Sequence, residues 1–197
     1  MKKIPTLFVR RFENHKVVEI TDEVTNGMEW VLQGEGVSTI KWDGSCCAII
    51  NGELYKRYDA KKGKKPPAGA IPCQDQPDPI TGHFPHWVKC DRGNPADRWF
   101  WNAFDNAQLK YAQVKSPIPD GTYEAIGNHF QGNPYGLNFD TLMKHGRAEI
   151  NADLTSFEKI KKFLSTHKIE GVVFWKDGEP RCKIKRSDFG LKWGNKE

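Results

Sequence analysis

No uninterrupted apolar run in the 197-residue chain approaches the ~18 residues that a membrane-crossing helix requires. A secretory leader is equally hard to find. The opening Met1-Lys2-Lys3 is basic, but the apolar stretch behind it is short and broken by Pro5 and Thr6. Cysteines number five, an odd count, and Cys46-Cys47 are adjacent, which is not the pattern of a secreted disulfide framework. Reduced thiols are therefore expected. There is no internal repeat. Together these absences lead us to expect a cytoplasmic protein with no membrane partner; a monomer is expected, with the oligomeric state left open by the sequence. What is present is 38% hydrophobic and 12% aromatic residues, enough for a sizeable core and too much for a disordered polymer. A net charge of +5, from 30 Lys+Arg against 25 Asp+Glu, is a mild bias towards polyanions and no nucleic-acid signature in itself.

Length favours a single domain over residues 1–197. Its first part reads as strands at 7–12, 16–20, 30–33 and 37–41, where β-branched and aromatic residues lie between turn signals. Asn51-Gly52 then joins two short apolar runs, which predicts a hairpin over 45–58 because both turn residues need positive φ. Seven of the twelve prolines fall between Pro66 and Pro95, so 60–95 reads as a long loop. Asn94-Pro95 resembles a cap followed by proline at the first helical position, and a helix over 95–106 follows. A strand is expected at 122–126 and a short helix at 138–145. Thr155-Ser156-Phe157-Glu158 reads as a capping box that opens an amphipathic helix through Ser165. Asp177-Gly178 joins strands at 171–175 and 181–186 in a second hairpin. The class is α+β.

The chemistry centres on Lys41-Trp42-Asp43-Gly44. A lysine ends a strand, an aspartate follows two positions on, and a glycine lets the backbone turn. This is the K-x-D-G pattern of the covalent nucleotidyltransferases, whose lysine attacks the α-phosphate of a nucleotide. Four residues with one free position are a weak signal. Further matches follow in order. Arg57 lies sixteen residues beyond Lys41, Glu124 sits within Thr122-Tyr123-Glu124-Ala125-Ile126-Gly127, and Glu170-Gly171-Val172-Val173 matches an E-G-hydrophobic-Val motif. Lys183-Ile184-Lys185 matches K-x-K, with both lysines on one face of a strand.

The chain resembles a specific family, the 5′-to-3′ RNA ligases first recognised in animals, with microbial and viral relatives. The resemblance rests on Lys41-Trp42-Asp43-Gly44-Ser45-Cys46-Cys47, Gly82-His83-Phe84-Pro85-His86-Trp87-Val88 and Gly132-Asn133-Pro134-Tyr135-Gly136-Leu137. It continues through His145-Gly146, Lys168-Ile169-Glu170-Gly171-Val172-Val173 and Asp188-Phe189-Gly190-Leu191-Lys192-Trp193. It implies a nucleotidyltransferase (ATP-grasp-like) domain of antiparallel sheets and flanking helices, without an OB domain. It further implies an ATP-dependent ligase that joins RNA 5′-phosphate and 3′-hydroxyl ends through lysyl-AMP and an adenylylated RNA end, in RNA repair. Lys41 would be the nucleophile, and Asp43, Gly44, Arg57, Glu124, Glu170, Val172, Lys183 and Lys185 would bind the nucleotide; which residue stacks on adenine stays open, with Val172 a candidate. Mg²⁺ or Mn²⁺ would be held by Glu170 and Glu124. The chain departs from many ligases in having Ile40, not an acidic residue, before the nucleophile.

Elementary chemistry agrees with these roles. A free lysine, with pKa roughly 10.4, must be desolvated or set among cations before it can attack. Mg²⁺ suits a few carboxylates together with phosphate oxygens and water. Other readings stay open. Asp43 could cap a turn, Arg57 and Glu124 could be solvated strand residues, and Lys185 could belong to a basic face. Lys61, Lys62, Lys64 and Lys65 are either a solvated loop or a phosphate-tracking run. Cys73, His83, His86 and Cys90 have zinc-ligand chemistry at a spacing that matches no common finger. Alternative functions are a DNA ligase, a capping-type guanylyltransferase, or a non-catalytic module that binds RNA ends or nucleotides.

Overall fold

The computed structural model describes residues 3–14, 16–79 and 81–194. The strands are, in chain order, β1 (Phe8–Glu13), β2 (Lys16–Val24), β3 (Val37–Lys41), β4 (Ser45–Ile50), β5 (Glu53–Ala60), β6 (Ile71–Pro72) and β7 (Phe84–Lys89). After helix α1 (Arg98–Gln113) come β8 (Gly121–Ile126), β9 (Thr141–Lys144), helix α2 (Phe157–Thr166), β10 (Gly171–Lys176) and β11 (Glu179–Lys185). All named strand pairs are antiparallel. The chain forms two compact units, one made of Met1–Lys3 with Asp43–His145 and the other of Ile4–Trp42 with Gly146–Glu197.

The unit formed by Asp43–His145 is built on a six-stranded sheet ordered β6-β7-β5-β4-β8-β9. Alternation puts Cys47, Ile49, Leu54, Tyr123 and Ala125 on one face, where Ala103 and Ala107 of α1 cover them. The β4–β5 turn has Asn51 at φ 52° and Gly52 at φ 75°, as the Asn-Gly pair predicts. Residues 60–95 are not all loop. Phe84–Lys89 is a full strand paired with β5 from Tyr55↔Lys89 to Ala60↔Phe84, and Ile71–Pro72 adds to its far side. Pro85 fits because it lacks only a donor, and its carbonyl accepts the Cys73 N–H at 2.9 Å. The helix expected at 138–145 is instead β9, paired with β8 from Tyr123↔Lys144 to Ile126↔Thr141. Cross-strand pairing there overrides local helical character. Asn94 caps the turn at Pro95–Asp97, and α1 then runs to Gln113, past the expected end at 106.

In the other unit, β1 and β2 form a hairpin, and β11-β10-β3 form a three-stranded sheet. Val172, Phe174, Cys182 and Ile184 point from that sheet into a core with Leu7, Phe8, Ile160 and Leu164. Each large apolar side chain buried this way contributes about 1.5–3 kcal/mol. Phe157 meets Phe8 and Phe189 edge-on, with ring centroids 5.1 Å apart in both cases. The α2 cap lies one residue later than the sequence suggests. Ser156, with extended backbone, accepts the Lys159 N–H at 3.3 Å, whereas Thr155 donates its hydroxyl to Asp153. The strand expected at 30–33 is a single 3₁₀ turn, Glu29–Val31, whose Trp30 and Val31 are core anchors. Gly34 and Gly36, at φ 77° and 75°, turn the chain away immediately afterwards.

Candidate active site

Sheet register assembles the lysines. Lys41 pairs with Gly171, and Gly171 with Lys185; one step along, Thr39 pairs with Val173, and Val173 with Lys183. Directly paired residues share a sheet face, so Lys41, Lys183 and Lys185 project together from the face opposite the core. Gly171 makes the close approach possible, since a Cβ there would lie 2.2 Å from the Ile184 carbonyl oxygen. Glu170, which precedes that strand, has its carboxylate on the Lys41 ammonium, and both side chains are largely buried.

Burial pushes the Lys183 ammonium down to about 8, and the positive charges of Lys41, Lys185 and Arg10 push the same way against Glu170. The sequence pattern gives no hint of Arg10. Its guanidinium donates to Asp188 Oδ1 at 2.5 Å, and Asp188 Oδ2 accepts the Lys185 backbone N–H at 2.8 Å. The structure corrects Val172. That side chain is fully buried in the core beside Ile184 and cannot lie against a nucleotide. Val173, one residue on, shares the face of Lys41 and Lys183. A one-residue change of register moves a side chain to the other face, so parity decides the matter.

The remaining candidates belong to the six-stranded sheet. Cys47 pairs with Lys56 on its core face, so Cys46 and Arg57 lie on the opposite one, where Glu124 pairs with Cys46. Glu124 Oε1 accepts the Gly44 N–H at 3.1 Å, while its Oε2 meets His145 Nε2 at 3.1 Å. His145 is oriented through its other ring nitrogen, 3.0 Å from Thr122 Oγ1. Asp43 is held by its backbone, whose N–H donates to Tyr135 Oη at 2.7 Å; Gln131 donates to the Gly44 carbonyl at 3.1 Å. Gly44 is obligatory, because a Cβ would stand 2.1 Å from the Ala125 carbonyl oxygen. Burial works against the charge of Arg57, but the Asp59 hydrogen bond and charge outweigh it and raise its pKa. Its Nε donates to Asp59 at 2.9 Å.

The structure thus brings Lys41, Glu170, Lys183 and Lys185 together on one sheet, and Asp43, Gly44, Arg57 and Glu124 within the other unit. Gln131, Tyr135 and His145 are additional residues there. Tyr135 and His145 stand in strings that carry the family resemblance, which was the available signal.

Among the described residues, no three His, Cys, Asp or Glu side chains are gathered to hold a metal ion. That includes Cys73, His83, His86 and Cys90; the His86 ring bonds the Phe84 carbonyl at 2.8 Å. Mg²⁺ does not require such a cage when a substrate brings phosphate oxygens, and one carboxylate such as Glu170 suits it. At either carboxylate a metal would compete with donors already present, the Lys41 ammonium on Glu170 and the Gly44 N–H and His145 ring on Glu124.

Three proteins named RNA ligase 1 are similar to this chain. The one from Danio rerio is 29% identical over 57% of this chain and 42% of its own length. The one from Pongo abelii is 28% identical with the same coverage, and that from Mus musculus is 27% identical over 80% of this chain and 68% of its own. These likenesses support an RNA ligase. The match spans less than half the length of the Danio rerio and Pongo abelii proteins. No family model matches the chain.

Proposed function

We propose that the chain is the nucleotidyltransferase core of an ATP-dependent RNA ligase. The observation that carries this reading is the Lys41–Glu170 pair set among Lys183 and Lys185 on one sheet face. Lys41 Nζ attacks the α-phosphorus of ATP. The N–P bond forms, the Pα–O bond to the β-phosphate breaks, and pyrophosphate leaves with the electron pair. The proton shed by Lys41 has its hydrogen-bonded acceptor in Glu170. The RNA 5′-phosphate then takes AMP from Lys41, and a 3′-hydroxyl displaces AMP to form the phosphodiester.

Lys183 and Lys185 hold the phosphate oxygens where negative charge develops, and this preorganised charge is the main catalytic contribution. Val173 offers an apolar contact to the base on the same face, and Glu170 would hold Mg²⁺. When bound, that ion supplies charge neutralisation at the phosphates. Glu124 and Arg57 are proposed to meet the ribose and phosphates, with Tyr135, Gln131 and His145 fixing Asp43–Gly44 and Glu124. RNA ends are the acceptor, and RNA repair is the proposed setting.

Intact-protein mass after incubation with ATP and Mg²⁺ tests the chemistry. One added AMP is expected in the wild type and none in Lys41→Ala. No adduct with either ATP or GTP, in protein freed of prior adenylate by pyrophosphate, overturns the reading. A GTP adduct would instead indicate a capping-type enzyme, and sealing of DNA ends in place of RNA ends a DNA ligase.

A further inference from the structure

We propose that Arg10 forms part of a subsite for the β- and γ-phosphates of ATP and for the pyrophosphate they become. This rests on the reading of Lys41 as the adenylylated residue. The segment leading into β1 is built onto the strand of Lys183: Leu7 N–H donates to the Lys183 carbonyl at 2.8 Å, and Lys183 N–H donates to Pro5 at 3.1 Å. Arg10 lies three residues beyond Leu7. One guanidinium nitrogen is committed to Asp188, whose other oxygen holds the backbone of Lys185. Arg10 Nε is buried and, among the described residues, has no hydrogen-bond partner. A buried N–H left without an acceptor is costly, and native proteins rarely keep one without a use.

Charge tells the same story. Arg10, Lys41, Lys183 and Lys185 are four cations, and Glu170 and Asp188 are the carboxylates ion-paired or hydrogen-bonded within the group. The cluster thus holds an excess of positive charge over its carboxylates, which a polyphosphate would neutralise. The Arg10 charge is also felt at Lys183, whose ammonium it helps push down. A guanidinium presents N–H donors in a planar fork that matches phosphate oxygens. As the Pα–O bond breaks, negative charge accumulates on the departing pyrophosphate oxygen. Arg10 receives that charge while Lys185 stays held through Asp188.

The test compares the wild type, Arg10→Ala and Arg10→Lys, each as the full chain freed of adenylate. Binding of inorganic pyrophosphate and of AMP is measured by calorimetry. Arg10→Ala is expected to weaken pyrophosphate binding by about tenfold or more while AMP affinity stays within about twofold. Arg10→Lys keeps the charge, loses the fork, and is expected to fall between. Unchanged pyrophosphate affinity in both variants overturns the proposal. So does a parallel loss for pyrophosphate and AMP, which would mark a structural role. Should Arg10→Ala fail to fold, the pyrophosphate-to-AMP comparison in Arg10→Lys decides. Adduct formation by the wild type is read separately, so failure of the ligase chemistry remains distinct from failure of the subsite.

Discussion

The backbone N–H of Asp43 donates to the hydroxyl of Tyr135 at 2.7 Å, although the two residues stand 92 positions apart. Tyr135→Phe removes that acceptor and keeps the ring. The expected cost is about 1 kcal/mol, the usual net value of one such bond, read as a lower urea midpoint with unchanged slope. No change in midpoint would mean that the contact contributes nothing.

Lys183 links stability to pH. Burial and the neighbouring cations push its ammonium down to about 8 in the folded chain, from an ordinary value of 10.5. Below about pH 8 both states hold the proton, and the cost of burying the charge is fully present. Between the two values the unfolded chain binds more protons, so stability rises with pH, by up to about 3 kcal/mol. Lys183→Met lacks this slope, is more stable than the wild type near neutral pH, and forms the AMP adduct more slowly. Urea unfolding at about pH 7 and about pH 9.5 measures the difference between the two proteins. Equal slopes would contradict the assignment.

Val172 and Val173 separate core from site. Val172→Ala is expected to cost about 2 kcal/mol, from lost transfer energy and a cavity, with ATP affinity nearly unchanged. Val173→Ala is expected to leave the melting temperature almost untouched and to weaken ATP binding. The opposite pattern would reverse the facing derived from the sheet register.

Gly171→Ala places a methyl group 2.2 Å from the Ile184 carbonyl oxygen, so the strands must part. The expected destabilisation is about 2 kcal/mol or more, with a larger relative loss in adduct formation because Lys41 and Lys185 both pair with this residue. Calorimetric melting together with intact mass checks both halves.

What could be read from the sequence was local. The Asn51-Gly52 and Asp177-Gly178 turns announce their hairpins because each has a residue pair suited to positive φ, and both pairs adopt it. The shared face of Lys183 and Lys185 follows from a period of two. Choosing between Val172 and Val173 needs the register against β11, which is a tertiary fact. Strand β7 is hidden among prolines, and β9 exists through its pairing with β8. Arg10 has no motif at all. It matters through Asp188, and no window of neighbouring residues contains both.

That pairing spans 178 positions, and the Pro5–Leu7 segment likewise completes its hydrogen bonds only on the strand of Lys183. During synthesis, Pro5, Leu7 and Arg10 must wait for Lys183 and Asp188 before these contacts can close. The six-stranded sheet, by contrast, draws its strands from one continuous stretch of chain, Asp43–His145. A nascent chain can therefore acquire that sheet while the lysine cluster is still incomplete.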